Sequence, residues 1–150
     1  MSSSSVLTIR RVQPNDIFPV IALAYHTLPE RYNPAIFNYF YEECPEGFLV
    51  ALKEYRIIGF LIGIKSSEMT ARILMLSVEE SQRKQGIGSS LISKFLAEMR
   101  QQSVSRIELE VRITNHRALT FYTKKGFRIQ GILQRFYQNG EHAYHMIKTL

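Results

Sequence analysis

The chain has one cysteine, Cys44, in 150 residues. An intrachain disulfide and a cysteine-built metal cluster are therefore excluded. Cys44 follows two glutamates and precedes Pro45, and it reads as a structural thiol rather than a nucleophile. Long apolar runs are missing too: none approaches the ~20 residues a membrane-spanning helix requires, so no membrane partner is expected. Met1-Ser2-Ser3-Ser4-Ser5 lacks the basic and apolar regions of a secretory signal and reads as a disordered tail (1–5). No repeat or linker divides residues 6–150, which are expected to form one domain with a real core, in the cytoplasm. The four histidines, His26, His116, His142 and His145, show no metal-ligand spacing, so no metal is expected and each reads as structural or surface. Acidic residues are the minority: 13 against 19 Lys and Arg, giving a net charge of +6. Such a balance raises nucleic-acid binding. The basic residues do not form one run, however, and a ligand carrying several phosphates needs local positive charge, so nucleic acid is not the expected partner.

What is present is organised around one stretch. The apolar run Ile73-Leu74-Met75-Leu76 leads through Ser77-Val78 and a short polar segment into Arg83-Lys84-Gln85-Gly86-Ile87-Gly88-Ser89 and an amphipathic helix. This is a strand, a glycine loop and a helix N-terminus. The first turn of a helix offers unpaired N–H groups and the positive end of the macrodipole. Gly86 and Gly88 remove side chains, so a bulky anion can approach the backbone. Arg83 and Lys84 add positive charge. The spacing lacks the Lys-Ser/Thr ending of a nucleotide P-loop, and Leu91 stands where a dinucleotide fold wants its third glycine.

The remaining elements follow from periodicity and punctuation. Strands are expected over residues 6–12, 48–53, 56–65, 71–78, 105–111, 127–135 and 143–148, with a hairpin tip at Glu54-Tyr55 and a turn at Asn139-Gly140. Helices are expected over residues 16–27, with cap chemistry from Pro14-Asn15-Asp16, over 35–44, and over 86–102, where Ile87, Leu91, Ile92, Phe95, Leu96 and Met99 form one stripe. A last helix runs from the cap Asn115 to about Lys125, closed by Gly126. The order β-α-α-β-β-β-α-β-α-β-β describes a mixed α/β sandwich, a central sheet covered by helices.

Arg83-x-x-Gly86-x-Gly88 resembles the pyrophosphate loop of the GNAT superfamily of acetyl-CoA-dependent N-acetyltransferases. Asn115-His116-Arg117-Ala118-Leu119-Thr120-Phe121-Tyr122-Thr123-Lys124-Lys125-Gly126-Phe127 resembles that family's second signature. Two signatures in order are far more specific than one. The resemblance implies a mixed, mostly antiparallel sheet of about seven strands flanked by about four helices. Three stretches look like the protein N-terminal acetyltransferases, among them the archaeal enzymes and the ribosomal-protein alanine acetyltransferases. They are Leu28-Pro29-Glu30-Arg31-Tyr32, Leu109-Glu110-Val111-Arg112 with Asn115, and Phe136-Tyr137-Gln138-Asn139-Gly140-Glu141-His142-Ala143-Tyr144. The last departs from the relatives at His142, where they carry Asp, while Glu141 is kept.

The resemblance implies a co-substrate, acetyl-CoA, and an acceptor, a protein N-terminus such as that of a nascent chain or a ribosomal protein. The backbone of Leu76, Ser77 and Val78 would pair with the pantetheine arm, with the Val78 N–H polarising the acetyl carbonyl. Lys84, Gln85, Gly86, Ile87, Gly88 and Ser89 would hold the pyrophosphate, and Asn115 would contact the cofactor arm. An α-amine titrates near 8, so a modest base suffices, and Glu110 takes that role directly or through water. The competing reading of Glu110 is an outward residue of an alternating strand. Tyr122, an ordinary phenol titrating near 10, would protonate the leaving thiolate or only position the sulfur; without the signature it would read as core. Leu28, Glu30, Tyr32, Phe136 and Tyr137 would cradle the first residues of the peptide, against a reading as loop surface or packing. The alternative functions are acetylation of lysine side chains or small amines, and a non-catalytic acetyl-CoA-binding module.

Overall fold

A computed structural model of the chain describes residues 6–150; the tail expected at residues 1–5 lies outside the described residues. The chain runs β1 (Thr8–Arg11), α1 (Ile17–Thr27), α2 (Ala35–Glu43), β2 (Phe48–Lys53), β3 (Arg56–Lys65), β4 (Thr70–Val78), α3 (Ile87–Gln101), β5 (Arg106–Arg112), α4 (His116–Lys124), β6 (Arg128–Leu133) and β7 (Ala143–Thr149). Short 3-10 turns precede α1, β2 and α3. The expected mixed α/β architecture is present, as one seven-stranded sheet of order β1-β2-β3-β4-β5-β7-β6.

Most of these elements form where the pattern asked for them. The β2–β3 hairpin turns on Glu54 and Tyr55, both left-handed at φ 52° and 63°, which matches the twist of the flanking strands. Asn115 Oδ1 accepts from the Ala118 N–H at 3.1 Å and caps α4. The six apolar residues of the expected stripe are the buried residues of α3. β1 is shorter than the expected 6–12, several ends shift by one residue, and two further departures have a visible cause. Asp16 does not cap α1; its carboxylate turns back to the Gln13 N–H at 2.7 Å and to Arg10 at 2.6 Å, closing the preceding turn instead. β6 ends at Leu133 rather than at Arg135, because Arg135 is left-handed at φ 52° and its N–H is bound by His142 Nδ1 at 2.8 Å.

The core has two layers. On one face α3 packs over the sheet with Ile73, Leu61, Ile107 and Leu109, and Phe95 lies so close to Gly63 that a Cβ there would stand 2.4 Å from its ring. On the other face α1 and α2 cover Phe48, Val50, Phe60, Ile62 and Met75. β4 serves both layers through a bulge. Met75 opposes Ile62 and Ile73 opposes Gly63, which leaves Leu74 as the extra residue. Before the bulge Ala71 and Ile73 face α3; after it Met75 faces α1.

The sheet is antiparallel except at its centre. There β4 and β5 run parallel and pair only as Thr70↔Arg106, Ala71↔Ile107 and Arg72↔Glu108. Beyond Arg72 the two strands part. β4 stays on β3 as far as Val78, and β5 stays on β7 as far as Arg112. The split leaves one edge of Leu76, Ser77 and Val78 without a strand partner, in the middle of the molecule.

Candidate active site

Two half-sites flank the split. The first is a cleft of about 660 Å³, within the range of small-molecule sites. Its walls come from the end of α1, the end of β4, the loop before α3, the first turn of α3 and the inner face of α4. Of the residues singled out in the sequence, it gathers Leu28, Leu76, Ser77, Val78, Arg83, Lys84, Gly86, Ile87, Gly88, Ser89, Asn115 and Tyr122.

The loop before α3 is curled by two left-handed residues, Lys84 at φ 67° and Gly86 at φ 78°. Gly86 is the N-cap, and a Cβ placed on it would meet nothing within 4 Å. Glycine stands there because of its backbone angle and because the space before it is open. Ser90 N–H reaches the Gly86 carbonyl at 3.0 Å, so the N–H groups of Ile87, Gly88 and Ser89 precede the helical ladder and point into the cleft mouth. Arg83 does not project freely: its Nε donates to the Val78 carbonyl at 3.1 Å and pins the loop to the end of β4. Lys84 and Arg117, both in the cleft wall, form no ion pair with any described residue and are the charges left for an anion. Gln85 is exposed and accepts from Lys53 Nζ at 2.5 Å, outside the cleft wall. The Ser77 hydroxyl also turns away; it donates to Thr27 Oγ1 at 2.5 Å and ties β4 to α1. What Ser77 offers the cleft is backbone.

Tyr122 stands at the inner end of the cleft, 9% exposed, with its ring edge-on to Phe121 and Phe127. Burial raises its hydroxyl above the ordinary tyrosine range, and the neighbouring Tyr137 adds to the shift. The ordinary phenol expected from the sequence is therefore not what the fold provides. An aqueous thiol titrates near 8.5, so full proton transfer from so weak an acid to a thiolate is uphill. Tyr122 keeps its proton and is suited to donating a hydrogen bond to a sulfur anion.

The second half-site lies on the opposite face of β5. Ile107, Leu109 and Val111 point to the core, so Glu108, Glu110 and Arg112 point the other way. Glu110 Oε2 pairs with Arg72 Nη1 and stands 2.9 Å from His145 Nδ1; His145 Nε2 lies 3.0 Å from Glu108 Oε1. Both contacts of Glu110 fall on one oxygen, so Oε1 is its open acceptor among the described residues. Glu110 does not line the cleft. Its charge reaches Tyr137, whose hydroxyl is pushed up to about 12, first by burial and then, against the opposing Arg112 guanidinium, by Glu110, Tyr32 and Glu141. The Tyr137 ring itself lies under Arg112, whose guanidinium carbon is 3.9 Å from its centroid. Phe136 packs edge-on to Tyr137 at 5.0 Å, and Glu30 pairs with Arg112. Glu30, Phe136 and Tyr137 thus gather at Arg112, at the end of β5, while Tyr32 packs edge-on to Phe37, and only Leu28 of the expected peptide-binding set lies in the cleft itself.

Sequence reasoning missed several members. Arg117, Ala118 and Phe121 line the cleft; their signal was available, one helical turn from Asn115 and Tyr122. Pro29, inside the stretch Leu28 to Tyr32, lines it too, as do Thr27 and Gln82, which had no distinguishing pattern. Arg72 and His145 join Glu110 through strand register, Glu110 lying opposite His145 across β5 and β7. Cys44 is buried, 3.2 Å from Glu46, and burial pushes its thiol up to about 11, which suits a structural residue.

Comparison with known proteins agrees with this geometry. Residues 17–127 match the model of the acetyltransferase (GNAT) family. An N-alpha-acetyltransferase of Sulfolobus acidocaldarius is 31% identical over 154 residues, covering 95% of this chain and 92% of that protein. The crystal structure of Ard1 from Thermoplasma volcanium superposes with a TM-score of 0.93 at 38% identity, covering 96% of this chain and 97% of that one. Naa50 of Arabidopsis thaliana, solved with the bisubstrate analogue CoA-Ac-MVNAL, superposes with a TM-score of 0.83 at 25% identity, covering 96% and 99%. With its split sheet, a cleft at the first turn of α3 and a family match over most of its length, this chain belongs to the acetyltransferase (GNAT) family.

Proposed function

We propose that this acetyl-CoA-dependent N-acetyltransferase acts on the free α-amino group of protein N-termini, by direct attack of the amine on the thioester in a ternary complex. The observation that supports the reading is the parting of β4 and β5, with a cleft at the first turn of α3 on one side and a cluster of aromatic and charged side chains at the end of β5 on the other. The Naa50 complex adds support, since its ligand joins CoA to a peptide through the acetyl group. Nascent chains and ribosomal proteins are the acceptors such an enzyme would meet in the cytoplasm.

The residues of the cleft fit acetyl-CoA. The open space before Gly86, the three leading N–H groups of α3 and the unpaired Lys84 suit a pyrophosphate. Acetyl-CoA supplies the activated acyl group. The free edge of Leu76, Ser77 and Val78 would hold the pantetheine arm, and the Val78 N–H would take the charge that develops on the acetyl oxygen. Asn115, whose Oδ1 is spent on the α4 cap, has its amide nitrogen for the same arm.

On the acceptor side Glu110 would take the ammonium proton at Oε1, directly or through a water, while Arg72 and His145 fix Oε2. The neutral amine would then attack the carbonyl carbon; as the C–S bond breaks, the thiolate, hydrogen-bonded by the Tyr122 hydroxyl, would take up the second proton of the amine nitrogen and leave as the thiol of CoA. The test is acetyl transfer to short peptides, each supplied with a free and with a blocked N-terminus and an internal lysine, with products located by mass spectrometry. Acetylation confined to free N-termini is the expected result. Acetylation of blocked peptides at lysine overturns the acceptor assignment.

A further inference from the structure

Arg112 is the last residue of β5, and it joins three segments that are far apart in sequence. Its Nη2 pairs with Glu30 of the α1–α2 loop. Its Nη1 lies 2.7 Å from Glu141 Oε1 and 3.1 Å from Asn139 Oδ1, both on the β6–β7 connection. Its guanidinium carbon stands 3.9 Å from the centroid of the Tyr137 ring. The three charged side chains are largely withdrawn from water, at 16% exposure for Arg112, 19% for Glu30 and 28% for Glu141. These two loops hold Tyr32, Phe136 and Tyr137, the aromatic walls of the acceptor groove.

The charges are not equally supported. Glu141 also accepts from the Thr114 hydroxyl and from Asn139 Nδ2 at 3.3 Å. Glu30 has Arg112 as its one charged partner among the described residues. Remove the guanidinium, and a carboxylate is left half-buried beside the place where the first residue of a peptide would lie. With the guanidinium in place, both carboxylates are engaged and the cation is spent on them and on the Tyr137 face. Around Arg112, then, an incoming side chain meets neither an unpaired carboxylate nor an unpaired cation; the open oxygen of Glu110 lies two residues away and faces the amine.

We propose that Arg112 is the specificity-determining residue of the acceptor groove: by engaging Glu30 and Glu141 it makes the groove select peptides whose first side chain is uncharged. The proposal rests on the N-terminal acetyltransferase reading above. A basic first residue meets an occupied cation where it needs an anion, and an acidic one meets carboxylates already held. Discrimination of this kind works by leaving the wrong partner unpaired as much as by binding the right one.

The test compares kcat/KM for peptides that differ only in a first residue of Ser, Met, Lys or Glu, for wild type and three variants. Wild type is expected to favour Ser or Met starts. In Arg112→Met the Lys-start preference relative to Ser should rise about tenfold or more, since two carboxylates become available. Glu30→Gln with Glu141→Gln should move the ranking the other way, raising the Glu start by a similar factor. Arg112→Lys, which keeps the charge but not the fork, should keep the wild-type ranking at a higher peptide KM. Acetyl-CoA affinity should be unchanged throughout, which separates groove from cleft. A purely structural role for Arg112 predicts slower catalysis with an unaltered ranking, and that result overturns the proposal. If Arg112→Met does not fold, the double Gln variant decides between the same two outcomes. A wild type that acetylates no peptide overturns the N-terminal reading and this proposal together; an active wild type whose variants keep its ranking overturns this one alone.

Discussion

The two half-sites are built on different principles. The cleft is made of backbone: a left-handed glycine, the leading N–H groups of α3 and the unpartnered edge of β4. Its side chains mostly turn away, Ser77 to Thr27, Gln85 to Lys53 and Arg83 to the Val78 carbonyl. The groove is made of side chains: Glu110 held by Arg72 and His145, and Arg112 held between Glu30 and Glu141. A backbone site is set by φ angles and by the absence of side chains, so it should tolerate many substitutions and fail at the few that alter the chain path. A site of interlocked charges should respond to any change of charge and little to changes of shape elsewhere.

The largest expected effect is in the groove. Glu110→Gln removes the base while keeping its shape, and kcat should fall by about 100-fold or more, the scale of a general base. Acetyl-CoA affinity measured by calorimetry should be unchanged. A variant with full turnover would show that Glu110 is only an outward strand residue.

Next comes the cleft. Gly86→Val puts a β-branched residue at φ 78° and fills the open space before the helix. Acetyl-CoA affinity should drop by about tenfold or more, from strain of roughly 1–3 kcal/mol and from blocked approach of the pyrophosphate. Isothermal titration reads this directly, and unaltered affinity would remove the loop from the anion site.

Tyr122→Phe lies at the meeting of the two half-sites and should slow turnover about tenfold, the worth of one hydrogen bond to a charged group. Burial holds the hydroxyl above its ordinary value, so it is protonated over the whole working range. The ratio of wild-type to variant rate should therefore stay flat from about pH 7 to about pH 10, where an ordinary phenol would already be losing its proton. A ratio that collapses below pH 9 would contradict the raised value. The smallest effect is Asn115→Ala: loss of a helix cap costs about 1 kcal/mol, or a few degrees in Tm, with a modest rise in KM for acetyl-CoA.

The same contrast explains what could be read in the sequence. The cleft was legible because its parts are contiguous: Arg83 to Ser89 form one loop and the first turn of α3, Asn115 to Tyr122 lie at one helix, and the resemblance of the two stretches to a pair of family signatures put them together. Strand boundaries fell close to their patterns both where alternation was clean, as in β4 and β5, and where the apolar run was continuous, as in β2 and β3. The groove was legible only as separate stretches. Nothing in the spacing of Glu110 and His145 says that they touch; that follows from the register of β5 on β7. Arg112 was overlooked for the same reason, since Glu30 and Glu141 reach it from opposite ends of the chain. The raised hydroxyl of Tyr122 depends on burial that the periodicity of a nine-residue helix does not reveal. Asp16 shows local chemistry misjudged, because Arg10 on the neighbouring strand drew its carboxylate away from the cap.

The central claim is that cleft and groove meet at the β4–β5 split, so that an amine in one reaches a thioester in the other. The most direct measurement is the affinity of a conjugate joining CoA through an acetyl group to the N-terminus of a Ser-start peptide, compared with CoA and the peptide separately. The account predicts that the conjugate binds at least about 100-fold more tightly than CoA alone, since the second half-site is engaged without a second association. It also predicts that Arg112→Met erodes this gain and leaves CoA binding untouched. A conjugate that binds no better than CoA would mean that the two half-sites do not face one another, and would contradict the account.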